Sequence, residues 1–143
     1  MKAFYREYNA NDVICREGDP STDLYLLRSG KLLICTLQGT QVKALATIAE
    51  GEFIGELSFF DGRPRSSHII ALEKSTLFQI PKHEMANLLP EWYLHLGINL
   101  TKKIRILDHV VQDTNLRRLS EKQKQLSIDE QRLYYKAITQ QNA

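Results

Sequence analysis

The chain has 143 residues, 43% of them hydrophobic and 25% charged, with a formal net charge of +2. That length suits one domain with an appendage and is short for two independently folding units, and so small a positive excess does not mark a nucleic-acid binder, whose affinity grows with clustered Lys and Arg. The longest apolar runs, such as Leu32 to Cys35, are far shorter than a membrane span, and the charged start Lys2 to Tyr8 lacks the unbroken apolar core of a secretion signal, so a cytoplasmic chain without a membrane segment is expected.

To about Pro81 the sequence reads as short strands divided by turn chemistry. Phe4 to Tyr8 and Val13 to Cys15 are β-prone and are split by Asn9-Ala10-Asn11-Asp12, whose side chains favour turns. Gly18-Asp19-Pro20-Ser21 is a second turn. Leu24 to Leu27, Lys31 to Leu37, Val42 to Ile48, Ser67 to Leu72 and Ser75 to Ile80 continue the series, with Ser29-Gly30 and Gln38-Gly39-Thr40 between early members. About seven or eight strands with no long helix between them imply antiparallel pairing and a jelly-roll type of closure. Cys15 and Cys35 end apolar runs, where reduced, buried thiols are expected.

After Pro81 the apolar spacing changes to threes and fours, first in Lys82 to Leu89 and then, beyond Pro90, in Leu96, Leu100, Ile104, Leu107 and Val111. Pro90 suits the entry to a long helix. Leu119, Leu126 and Leu133 fall seven apart, compatible with a short coiled coil and a homodimer, with a lone amphipathic helix, or with a frayed tail. The fold expected is therefore mainly β with C-terminal helices: an antiparallel β-roll (double-stranded β-helix or jelly roll), a short helix, and a long lid or dimerisation helix. Residues 1–110 form the roll and lid, and 111–143 a helical extension for dimerisation or for linkage to an output domain.

The stretch Gly51 to Ser67 interrupts the strands and carries the chemistry. Gly55 permits close backbone approach to a ligand, and Glu56 to Phe60 is long enough for one helical turn whose free N–H groups point at an anion. Arg65 adds a full positive charge with a planar fork able to engage two phosphate oxygens, and Ser66 and Ser67 add donors. A selective site also needs an acceptor for a neighbouring hydroxyl. Glu56 is that acceptor, and a ribose 2'-hydroxyl fits it; each of the two charges offsets part of the other's desolvation.

Phe53-Ile54-Gly55-Glu56-Leu57, a short apolar turn including Ser58, and then Gly62-Arg63-Pro64-Arg65-Ser66-Ser67 resemble the phosphate-binding cassette of the cyclic-nucleotide-binding domain family, which includes catabolite activator proteins, regulatory subunits of cyclic-AMP-dependent kinase and cyclic-nucleotide-gated channels. Glu17-Gly18-Asp19-Pro20 and Leu24 to Gly30 look like that family's early strands and turns. The resemblance runs from about Asp12 to Asp108. It implies Glu56 on the ribose hydroxyl, Arg65 on the cyclic phosphate, and the helix after Pro90 closing over the base. Ser67 stands where many relatives have Ala, the helix that often precedes the roll is missing or very short, and too few residues follow Ser120 for the winged helix-turn-helix of the activators.

The base is expected against Leu45, Ala46, Ile54 and Leu57, with Ile104, Arg105, Leu107 and Asp108 near the depth at which a lid helix reaches it. Asp108 suits either the N1 and N2 donors of guanine or the 6-amino group of adenine, and on an exposed helix face it does neither. Ser66 in place of Thr beside Arg65, and the frequency of cyclic AMP among bacterial relatives, favour cyclic AMP over cyclic GMP. No cofactor is expected and no catalysis: His68, His83, His95 and His109 offer no cluster for a metal-dependent enzyme of the related double-stranded β-helix type. A degenerate roll serving as scaffold is the other rival. Lys102, Lys103, Arg105, Arg117 and Arg118 make the long helix basic, which reads as a solvated face rather than a nucleic-acid surface.

Overall fold

The computed structural model describes residues 4–114, with side chains to 109, and 125–140. Strands β1 (Phe4–Tyr8), β2 (Val13–Cys15), β3 (Leu24–Ser29), β4 (Leu32–Gln38), β5 (Gln41–Ile48), β6 (Phe53–Ile54), β7 (His68–Ala71) and β8 (Ser75–Ile80) form two four-stranded sheets, ordered β1-β8-β3-β6 and β2-β7-β4-β5. Every pairing is antiparallel. The expected roll is present, with one strand added, since β6 is too short to show alternation. Between β5 and β4 the register shifts from Ile34↔Ala46 to Cys35↔Ala44, leaving Leu45 as the extra residue of a bulge.

Cys15, Tyr25, Leu27, Leu32, Ile54, Ile69, Ala71 and Leu77 are buried together and form the heart of the roll. Period-two alternation then sends Leu33, Cys35 and Ile70 the other way, into a second buried cluster with Val42. All of His68 to Ala71 is buried because β7 is covered on both faces. Both cysteines are free; burial pushes the Cys35 thiol up to about 12, the ionisation of an inert packed thiol.

Helix α1 (Glu56–Asp61) lies between β6 and β7. After Pro81 a 3-10 turn (Lys82–Glu84) leads into α2 (Met85–Leu88), α3 (Glu91–Thr114) and α4 (Ile128–Thr139). The long helix thus begins beside Pro90 as its chemistry requires. None of the described helices is long and apolar enough to cross a membrane.

The C-terminal segment departs from the heptad reading. Leu119 lies outside the described residues, Leu133 is exposed, and the buried side of α4 is Tyr134 and Ile138, packed with half-buried Leu126 and Tyr135 on the Leu33, Cys35, Val42 and Ile70 cluster. The roll takes up Tyr134 and Ile138 of α4, while Ile128 and Leu133 stay exposed. Ser127 and Glu130 form a reciprocal capping box at its start. At its end the Arg16 guanidinium donates to the carbonyls of Ile138 (3.1 Å), Ala137 (3.4 Å) and Gln140 (3.2 Å), a cation on the terminal C=O groups.

Candidate ligand-binding site

Gly55 shapes the cassette. It takes φ 83°, and a Cβ there would stand 2.2 Å from Arg65 Nη1 and 2.9 Å from the Asp23 carbonyl oxygen. Only glycine meets both demands. Its own carbonyl accepts from Phe59 N at 3.0 Å, closing the first turn of α1, and from Arg65 Nη1 at 3.1 Å. The same atom therefore starts the helix and holds the arginine.

Arg65 is 4% exposed. Its Nε donates to Ser21 Oγ (3.2 Å) and its Nη2 to the Asp23 carbonyl (2.6 Å), while its guanidinium carbon lies 5.9 Å from the centre of the Tyr25 ring. Each nitrogen thus has one partner, all three partners are neutral, and no carboxylate among the described residues forms an ion pair with it. Of the five N–H donors of a guanidinium, one on each terminal nitrogen remains beyond these bonds. A buried cation with no ion-pair partner is costly, and Glu56, whose carboxyl the Arg65 charge pulls down, offsets part of that cost at longer range. The backbone is pinned as well: Arg65 N donates to Asp19 O at 2.9 Å, and Gly18 N to Arg65 O at 2.8 Å.

Glu56 opens α1. Burial of the carboxyl by the surrounding roll pushes its pKa above the usual carboxylate value and Glu52 adds to this, while its own backbone amide and the Arg65 charge pull it down. The side chain as a whole stays exposed; protein packed around the head group displaces part of its water even where an edge stays open, and that displacement governs ionisation. The two groups expected to grip one ligand thus share one electrostatic environment.

The other expected residues scatter in exposure. Ile54 and Ser58 are buried, Leu57, Ser67, Leu45, Ala46 and Asp108 half-buried, and Phe53 and Ser66 exposed. On α3, Ile104 and Leu107 are exposed, and Arg105 is turned onto α1, where its Nη2 donates to Asp61 Oδ1 at 3.0 Å and its Nε to Oδ2. Among the described residues no group of His, Cys, Asp and Glu is placed to hold a metal ion.

The model of the cyclic nucleotide-binding domain family matches residues 5–91. The chain belongs to that family. The rod photoreceptor cyclic nucleotide-gated channel of Gallus gallus, in its alpha chain, is 29% identical over 91 residues, covering 59% of this chain and 14% of the channel. A cyclic nucleotide-gated channel of Caenorhabditis elegans is 27% identical over 120 residues, 76% of this chain and 16% of that one. The chain therefore spans less than a fifth of these relatives. Among solved structures, the catabolite activator protein of Thermus thermophilus superposes with a TM-score of 0.64 at 28% identity, over 79% of this chain and 55% of the other. The cAMP-bound form of the EAL enzyme Bd1971 gives 0.64 at 25% identity, over 78% and 32%, and that enzyme also has a cGMP-bound form.

Within this cyclic nucleotide-binding domain the residues that hold Arg65 in place, Ser21, Asp23 and Tyr25, escaped the sequence reading. Ser21 was legible only as part of a turn, and nothing local ties it to an arginine 44 positions on. Asp23 does more than its carbonyl contact: its carboxylate accepts from Gln79 Nε2 (2.6 Å) and from Lys82 N (3.0 Å), joining the arginine's support to the start of the helical third.

Proposed function

We propose that this domain is a sensor of a cyclic mononucleotide, cyclic AMP in the first place, which it binds without chemical change and reports through its C-terminal helices. The observation that carries this reading is the buried Arg65 guanidinium, held open by three neutral acceptors beside Glu56. Arg65 takes the cyclic phosphate, Glu56 the ribose hydroxyl, and Gly55, Leu57, Ser58, Ser66 and Ser67 the remainder of the cassette. Phe53, Ile54, Leu45 and Ala46 form the wall for the purine, and Asp108 marks the depth at which α3 reaches it. The preference for cyclic AMP rests on Ser66 and on the cAMP-bound form of the EAL enzyme neighbour.

Calorimetric titration with cyclic AMP, cyclic GMP and a linear 5'-monophosphate tests this. The cyclic nucleotides should bind, the linear control should be much weaker, and Arg65→Ala should cost about a hundred-fold or more through lost charge-assisted bonds. Unchanged affinity in that variant would show the phosphate to lie elsewhere. Tighter binding of cyclic GMP would reverse the base preference and leave the sensor reading intact.

A second role, self-association, is favoured by a row of exposed apolar side chains along α3: Tyr93, Leu96, Leu100, Ile104 and Leu107. Sedimentation with and without nucleotide decides it, since a monomer under both conditions leaves α3 as a lid alone.

A further inference from the structure

A helix of six residues cannot hold itself in water, because nucleating the first turn costs more than so few hydrogen bonds return. Helix α1 is such a helix. It is bracketed by left-handed glycines, Gly55 (φ 83°) and Gly62 (φ 71°), and no side chain caps its N-terminus. Its position must come from what it packs on.

That neighbour is α3. The Phe60 ring lies so close to Gly97 that a Cβ there would stand 2.3 Å from Cε1, so α1 meets α3 where α3 has no side chain. One turn further Thr101 is buried, and one turn beyond that Arg105 grips Asp61 with both arms of its fork. The two side chains are only 11% and 16% exposed. Asp61 Oδ1 also accepts from Arg63 N at 2.9 Å, so the same carboxylate shapes the turn that leads to Arg65.

We infer that Asp61 and Arg105 are a positioning pair for the ligand site: they clamp the far end of α1 to α3, and α1 in turn sets where Glu56 and Arg65 stand. Glu56 is the first residue of α1, and the Gly55 carbonyl that closes its first turn holds Arg65 Nη1. Neither member of the pair needs to touch the ligand for this role: Arg105 acts through the bonds of its Nε and Nη2 to Asp61 rather than as the base contact that the sequence suggested. Because the coupling is reciprocal, a ligand that draws Glu56 and Arg65 into place also tightens α3 on the roll. This inference rests on the cyclic-nucleotide reading for its ligand and on the contacts between α1 and α3 for its mechanics.

The test uses the full chain with Asp61→Asn, Arg105→Gln, the milder Arg105→Lys, and the charge-exchanged double variant Asp61→Arg with Arg105→Asp. In ligand-free protein, amide hydrogen exchange across residues 56–61 should rise in the single variants and fall back in the exchanged one. Fluorescence of Trp92, the single tryptophan, which sits on α3, should report the loosened helix. Titrations should show both singles weakened by roughly five- to fifty-fold, by the same factor for cyclic AMP and cyclic GMP, with partial recovery in the exchanged pair, where Asp61→Arg restores the ion pair but cannot accept from Arg63 N. Unchanged exchange in both singles would overturn the inference. So would an Arg105 effect confined to one base with Asp61→Asn silent, which would make Arg105 a base contact after all. Failure of the wild type to bind any cyclic nucleotide would sink the ligand assignment, while the exchange measurement would still decide whether α3 positions α1.

Discussion

At the scale of single residues, the site depends on a glycine as much as on its charges. In Gly55→Ala a methyl group would meet Arg65 Nη1 at 2.2 Å and the Asp23 carbonyl at 2.9 Å while forcing alanine to φ 83°. The strain should cost about 1–3 kcal/mol of stability, and it falls on the arginine, so nucleotide affinity should drop further than the loss in Tm alone would suggest; denaturation and titration of one preparation separate the two. Glu56 sets a pH dependence. Its carboxyl is held above the usual value, first by burial, so the folded protein binds the proton more tightly than the unfolded chain. The sign follows: Glu56 favours folding below the unfolded pKa of about 4.3, and that contribution is lost as pH rises through the folded value. In the proposed role of Glu56 the ionised form accepts a ribose hydroxyl, so acidification should weaken nucleotide binding at a higher pH than an ordinary glutamate would. Asp61 behaves oppositely. Burial raises it, but Arg105 and the Arg63 amide outweigh burial and hold it below the usual value, so its stabilisation persists above the unfolded pKa and is lost only as pH falls through the depressed one. Acid titrations should therefore release ligand before Trp92 senses any loosening of α3.

At the scale of elements, how much each segment revealed of itself depends on how local its causes are. The strands from Phe4 to Ile80 were legible because turn residues and β-prone runs act over a few positions, and α3 because its spacing repeats over many turns. What α4 does was not legible. Its leucines suggested a heptad, whereas Tyr134 and Ile138, set among polar residues, carry the burial because a sheet face about a hundred residues earlier in the chain awaits them. Arg16 is the corresponding surprise, a turn-flanking residue that caps the end of α4 through three carbonyls. Arg16→Met keeps the stem and removes the cap; it should cost about 1 kcal/mol and raise hydrogen exchange in α4 while leaving the strands protected. Exchange confined to β2 instead would show that the cap does not hold the helix.

At the scale of the whole molecule, the two sheets and α4 make three layers around two buried clusters, and helix α1 of the cassette meets the helical third through α3. A ligand that binds the folded form alone stabilises it by mass action, so cyclic AMP at a hundred times its Kd should add about 2.7 kcal/mol and raise Tm by several degrees. Arg65→Ala should abolish that shift, read by scanning calorimetry. Several things were legible in the sequence alone: an antiparallel roll and a helical third beginning at Pro81, both written in short-range signals of periodicity, turn chemistry and spacing, and an interruption between strands that carries Glu56 and Arg65. Tertiary structure alone decided that Ser21, Asp23 and Tyr25 hold the arginine, that Arg105 grips Asp61, and that α4 lies on the roll. Those contacts join positions from about forty to more than a hundred residues apart, and only closure of the sheets brings such partners within reach of a hydrogen bond.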